Sequence, residues 1–159
     1  MAEGMLNTLV EPKRIYLDLP PGTMAETLLE MARRLQRSGD VKDADDLARR
    51  LMEREKLGCT GLGNGLAIPH CKLSGVDQVL LAIGVSPSGV DFQALDGRPV
   101  RLIFLVLSPA DSPAGHLQAL ARISRLVKTP GVAEAILSAT SPEEVGTLLR
   151  ETEARLVSQ

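Results

Sequence analysis

The sequence predicts a three-layer α/β/α domain, with helices packed on both faces of a mixed β-sheet. Three observations predict it. Val79–Val85 and Arg101–Leu107 are nearly unbroken apolar runs, the pattern of strands covered on both faces. Several longer segments carry apolar residues at helical spacing, so each has one stripe to bury. The order is strand, two helices, several strands, then helices, with no internal repeat, low-complexity tract or linker, so the 159 residues read as a single domain.

Arg14–Leu19 alternates, with Ile15, Leu17 and Leu19 on one side, and is expected to be a strand ended by Pro20-Pro21-Gly22. Thr23 opens a helix, and Glu26 three residues later completes a capping box. Met24, Leu28, Met31 and Leu35 form its buried stripe, and Gly39 stops it. A second helix is expected from Lys42 to Leu57, with Ala44, Leu47 and Leu51 inward. Its acidic first turn (Asp43, Asp45, Asp46) and basic later turns (Arg49, Arg50, Arg54) suit the helix dipole. Gly58 ends it. A glycine-rich loop, Thr60–Gly65, leads into a short extended run, Leu66–Pro69. Between the two apolar strands, Asp96-Gly97 reads as a tight turn. A third helix covers Gly115–Lys128, with Leu117, Leu120, Ile123 and Val127 expected inward. A short helix starts at Pro130, and Ser141-Pro142 with Glu144 forms a further capped start.

Composition excludes several function classes. The net charge is -2 with mixed signs and no basic stripe, which argues against nucleic acid as a partner. No apolar run reaches the roughly 18–20 residues that span a bilayer, so no direct membrane insertion is expected. Met1–Val10 lacks a basic stretch followed by an apolar one, so no signal peptide is expected there. The two cysteines, Cys59 and Cys71, make no disulfide framework, and a reducing cytoplasm is the simplest setting. With two Phe, one Tyr and no Trp, the core must be aliphatic.

The segment that can carry chemistry is Thr60-Gly-Leu-Gly-Asn-Gly-Leu-Ala-Ile-Pro-His70. Glycines at alternate positions can leave backbone N–H groups pointing at an anion, and Asn64 tolerates the left-handed conformation of a sharp turn. Thr60, Gly61, Gly63 and Asn64 are therefore candidate phosphate-binding residues. No Gly-Lys-Ser/Thr follows, so this is not a nucleotide P-loop. The dinucleotide fingerprint and the serine-hydrolase elbow are also missing. That leaves His70, on a backbone stiffened by Pro69, as the chemical group. The other histidine, His116, stands at a helix start, where free N–H groups favour an anion. Taken alone, each histidine reads as well as a surface or capping residue. Arg54 reads either as a solvated cation or as a guanidinium reaching phosphoryl oxygens. The spacing of Cys59, His70, Cys71 and His116 matches no standard zinc pattern, so no metal and no cofactor is expected.

Arg54-Glu55-Lys56, the Thr60–His70 segment, Asp96-Gly97-Arg98-Pro99-Val100 and Gly115-His116-Leu117 together resemble the IIA component of the fructose/mannitol branch of the phosphoenolpyruvate-dependent sugar phosphotransferase system. The resemblance spans about Leu6 to Glu153. It implies a phosphocarrier phosphorylated on His70, with His116 as second active-site histidine and Arg54 near the phosphoryl group. It also implies the three-layer fold. Its implied partners are a histidine-containing phosphocarrier as donor and, as receiver, a IIB protein or a regulatory target. Cys71 departs from the small residue, often glycine or alanine, that usually follows the histidine. The Gly61–Gly65 wording, the stretch Leu107-Ser-Pro-Ala-Asp111 and the lack of a fused domain resemble the nitrogen-regulatory members more than the sugar-transport ones.

Overall fold

The computed structural model describes residues 10–157, and the Met1–Val10 reading falls almost wholly outside them. After a 3-10 turn at Pro12–Arg14 the elements are β1 (Ile15–Tyr16), α1 (Met24–Arg37), α2 (Ala44–Leu57), β2 (Gly61–Gly63), β3 (Leu66–Ala67), β4 (His70–Leu73), β5 (Leu80–Val90), β6 (Val100–Pro109), α3 (Pro113–Val127), α4 (Val132–Leu137) and α5 (Pro142–Val157). The six strands form one sheet in the order β1-β5-β6-β3-β2, with β4 also paired to β6. β5 and β6 are antiparallel, while β1 runs parallel to β5, and β3 and β4 run parallel to β6. The sheet is mixed, as expected.

β6 divides the core by simple alternation. Leu102, Phe104 and Val106 face one cluster with Ile123, Leu126, Ile136 and Leu149 of α3–α5. Ile103, Leu105 and Leu107 face the other, with Leu28, Met31, Leu35, Leu47 and Leu51 of α1 and α2. These are the three layers. Thr23 caps α1 with both bonds of the predicted capping box, Thr23 N–H to Glu26 at 2.9 Å and Glu26 N–H to Thr23 at 3.1 Å. Asp43 caps α2 through the Asp46 N–H.

Three local expectations are corrected. The first strand is only Ile15–Tyr16. Arg14 lies inside, donating to the Leu81 carbonyl and pairing with Asp40, and Leu19 crosses to the α1 side. The reason is Gly84: a Cβ there would meet Leu19 Cδ1 at 2.6 Å and Met31 at 3.1 Å, so Leu19 occupies the space a side chain would need. A Gly84→Val chain is expected to lose about 3 kcal/mol by overpacking, melting roughly 6–12 °C lower in calorimetry. Unchanged melting would mean Leu19 is free to withdraw.

The second correction concerns the glycine loop, which is a β-hairpin. β2 pairs antiparallel with β3, and Asn64-Gly65 forms the two-residue turn with φ of 57° and 80°. Asn-Gly is the residue pair such a turn favours, because both positions need positive φ. The third correction is Leu117, which is 67% exposed. The buried stripe of α3 is instead His116, Ala119, Ile123, Leu126 and Val127.

Candidate active site

β3 and β4 are one extended segment laid along β6. Ala67 is level with Ile103 and His70 with Val106, the same offset, so the register continues across Ile68-Pro69. Pro69 has no N–H to give a ladder, but its carbonyl accepts from Val106 N–H at 2.9 Å. Parallel neighbours in register point the same way, so His70 and Lys72 share the face of Val106 and Ser108, the face that α3 covers. His116, in the first turn of α3, completes the group. The two imidazole centroids are 5.3 Å apart, tilted by 51°.

His70 is half-buried, and its Nδ1 lies 2.7 Å from the Ile68 carbonyl. A carbonyl can only accept, so Nδ1 carries the proton and Nε2 keeps a lone pair. Burial pushes the pKa of His70 below the ordinary 6.5, opposed by the Ile68 bond and Glu55 and assisted by Arg54. His116 is also lowered, by burial first and then by His70, Lys72 and Arg54. For both rings the shift favours the neutral form.

Two clefts meet at His70. The larger, about 580 Å³, is lined by Arg50, Arg54, Leu57, Cys71, Lys72 and both histidines, with Glu53 as its one acid. The smaller, about 240 Å³, is lined by Arg54, Cys59, Thr60, Leu62, His70 and Leu120, among others. Arg54 and His70 line both. A third cleft of about 530 Å³ between α1 and α2 is lined by Glu30, Arg33, Gln36, Arg37, Ala44 and Asp45, and holds no nucleophile. Arg54 is placed by ending α2: it donates to the Gly58 carbonyl at 3.0 Å. Arg50 is tied to Asp46 at 2.9 Å, which leaves Arg54 and Lys72 as the cations nearer the histidines.

The structure brings together His70, His116, Arg54 and Thr60. Gly61, Gly63 and Asn64 line neither cleft. Their glycines shape the hairpin, and the Asn64 N–H is taken by the Asp96 carboxylate at 2.8 Å. That bond, with a second from the Arg98 N–H, holds Asp96 below the usual carboxylate range. Cys71 sits among α1 and α2 residues, and burial pushes its thiol up to about 11, so it stays protonated. Among the described residues no group of three or more His, Cys, Asp or Glu is placed to hold a metal ion, and no helix is long and apolar enough to cross a membrane.

A family model described as "Phosphoenolpyruvate-dependent sugar phosphotransferase system, EIIA 2" matches residues 8–152. The chain belongs to this family. Within the EIIA type-2 family, it is 37% identical over 138 residues to a nitrogen regulatory protein of Pseudomonas aeruginosa, covering 87% of this chain and 90% of that one. It is 36% identical over 149 residues to a PTS system fructose-specific EIIA component of Haloferax volcanii, covering 92% and 95%. The crystal structure of the nitrogen regulatory protein IIA-Ntr from Neisseria meningitidis superposes with a TM-score of 0.83 at 33% identity, over 91% of this chain and 99% of that one. The EIIA type-2 fold is the three-layer arrangement the sequence predicts.

Three neighbours of the histidines were given no role of their own from sequence. Glu55 holds the base of the hairpin, accepting from the Thr60 N–H at 3.2 Å and from the Thr60 hydroxyl. Lys72 joins the larger cleft from β4, a strand beyond the extended run that the sequence reading ends at Pro69. Ser108 lies 2.6 Å from His116 Nδ1 and is fully buried. It lies in the Leu107–Asp111 stretch already noted for its resemblance, but a hydroxyl just past an apolar run carries no sign of a histidine partner.

Proposed function

We infer that the chain is a cytoplasmic phosphocarrier that accepts a phosphoryl group on Nε2 of His70 and passes it to another protein. The observation that carries this reading is the pinned imidazole: Nδ1 is committed to Ile68, so the lone pair of Nε2 is the free nucleophile. In the proposed step, Nε2 attacks the phosphorus of a phosphohistidine on the donor. The donor's N–P bond breaks, and its electron pair returns to the donor ring. No proton has to move, because Nδ1–H of His70 keeps its carbonyl partner throughout. The transition state is loose, with charge on three equatorial oxygens, so catalysis is positioning plus electrostatic support. Arg54 and His116 are the proposed support, with Lys72 at the cleft's edge. The chemistry calls for no metal.

The donor proposed is a histidine-containing phosphocarrier. A protein substrate suits the surroundings: Leu57 is 84% exposed, Leu62 41% and Leu117 67%, so apolar side chains stand in solvent beside the two clefts and next to His116. Likeness to nitrogen regulatory proteins supports a regulatory role, in which phosphorylation adds about −1.5 to −2 charge to a docking face and changes its grip on a target. Likeness to a fructose-specific component favours a second reading, in which a IIB protein takes the phosphate. Incubation with phosphoenolpyruvate and the general phosphotransferase proteins, followed by intact mass, tests the carrier reading. The expected result is one added phosphoryl group, and an unchanged mass would contradict it. Adding purified IIB proteins then separates the two roles, since only a transport component discharges rapidly to its IIB.

The lowered pKa of His70 fixes a pH dependence. The neutral ring is the nucleophile, and burial moves its protonation below 6.5. Acceptance is expected to drop to half of its plateau only below pH 6.5, as Nε2 takes a proton. The same sign applies to stability. Below 6.5 the unfolded chain binds more protons than the folded one, so stability falls as pH drops toward the folded pKa. Stopped-flow acceptance rates across pH check the first point, and a loss already half complete above 6.5 would contradict it.

A further inference from the structure

We propose that Ser108 is a positioning residue, whose hydroxyl donates to Nδ1 of His116 and so fixes that ring as the tautomer with its proton on Nε2, held toward the phosphoryl group on His70. The inference rests on the carrier reading of His70. Its basis is geometric. Ser108 Oγ and His116 Nδ1 are 2.6 Å apart, with the serine fully buried and the histidine 7% exposed. Ser108 is level with Lys72, two residues past His70, so strand register aims it at the same face.

The direction of the bond follows from counting protons. A neutral imidazole carries one N–H. If Nδ1 held it, Nδ1 would donate to Ser108. The buried hydroxyl proton would then need another acceptor, and none is recorded for Ser108 among the described residues. His116 Nε2 would also present a lone pair in the cleft shared with His70, repelling phosphoryl oxygens. If Ser108 donates to Nδ1, the hydroxyl is satisfied and Nε2–H becomes a donor. Hydrogen bonding at one ring nitrogen thus sets what the other can do. No proton moves on Ser108 or His116 during transfer. Ser108 keeps its proton, His116 keeps its own, and only the P–N bonds change. Burial first, and then His70, Lys72 and Arg54, disfavour a second proton on His116.

The test is imidazole nitrogen NMR on the intact chain. Wild-type His116 is expected to show Nε2–H with an accepting Nδ1. Ser108→Ala should convert it to a mixture of tautomers and slow phosphoryl acceptance about tenfold. Ser108→Thr, which keeps the hydroxyl, should restore both where amide spectra show the fold intact. The wild-type measurement stands even if a variant fails to fold: an Nδ1–H His116 in a chain that transfers phosphate normally overturns the role of Ser108 alone. So does a Ser108→Ala chain that keeps the wild-type tautomer and rate. If wild-type protein takes no phosphate from any phosphorylated donor, the carrier reading falls, and the role given to Ser108 falls with it.

Discussion

A His70→Ala chain is expected to take up no phosphate from a phosphorylated histidine carrier, while remaining folded. The loss is complete because the described structure offers no substitute nucleophile. On the tautomer proposed above, His116 has its Nδ1 lone pair taken by the Ser108 hydroxyl and a proton on Nε2; the Cys71 thiol is protonated, and Cys59 gives its S–H to the Phe92 carbonyl at 3.3 Å. The ring is only half-buried and its one hydrogen bond goes to a local carbonyl, so removing it costs little stability. Mass spectrometry under alkaline conditions, where phosphohistidine survives, checks this. Phosphate retained by the variant would show that His70 is not the acceptor.

His116→Ala is expected to accept phosphate still, but with transfer in both directions slowed by about 10²–10³-fold, the typical loss on removing one preorganised donor. Nε2 of His70 is untouched by the change, so the same product forms at the end point. The vacancy leaves the Ser108 hydroxyl unpaired at a cost of about 1–3 kcal/mol, which the fold should survive. Rapid-quench rates in both directions give the answer. Wild-type rates in both would reduce His116 to a packing residue of α3.

Much of the architecture was legible because it is encoded locally. The capping box at Thr23 and Glu26 and the unbroken apolar run of β6 are readable within a few residues, and both are present, whereas Asp43, read as a first-turn acid of a helix from Lys42, is the N-cap of α2. What could not be read depends on partners distant in sequence. Ile15–Tyr16 looks like part of a longer strand until Gly84 is seen to receive Leu19. Leu117 and Leu120 fit a helical stripe as well as His116 and Ala119 do. Only the site of docking against β6 selects the second phase, and in doing so it turns His116 inward beside His70. The hairpin is a different case. Asn64-Gly65 is a local signal, but the run of glycines suggested a phosphate cradle, and the same residues serve both patterns. The candidate site was legible as two histidines and an arginine. The hydrogen bonds that decide which nitrogen of each ring is free, from Ile68 and from Ser108, were not. One depends on how Pro69 directs the chain, and the other links β6 to α3.

On the proposed carrier mechanism, phosphate rides on Nε2 of His70 while Nδ1–H stays bonded to Ile68. Phosphorus and nitrogen NMR of the phosphorylated chain, labelled in its histidines, tests this directly. The expected result is one phosphohistidine, with the phosphorus coupled to Nε2 of His70 and the proton on Nδ1. A phosphoryl group on Nδ1 of His70, on His116, or on a residue other than histidine would contradict it.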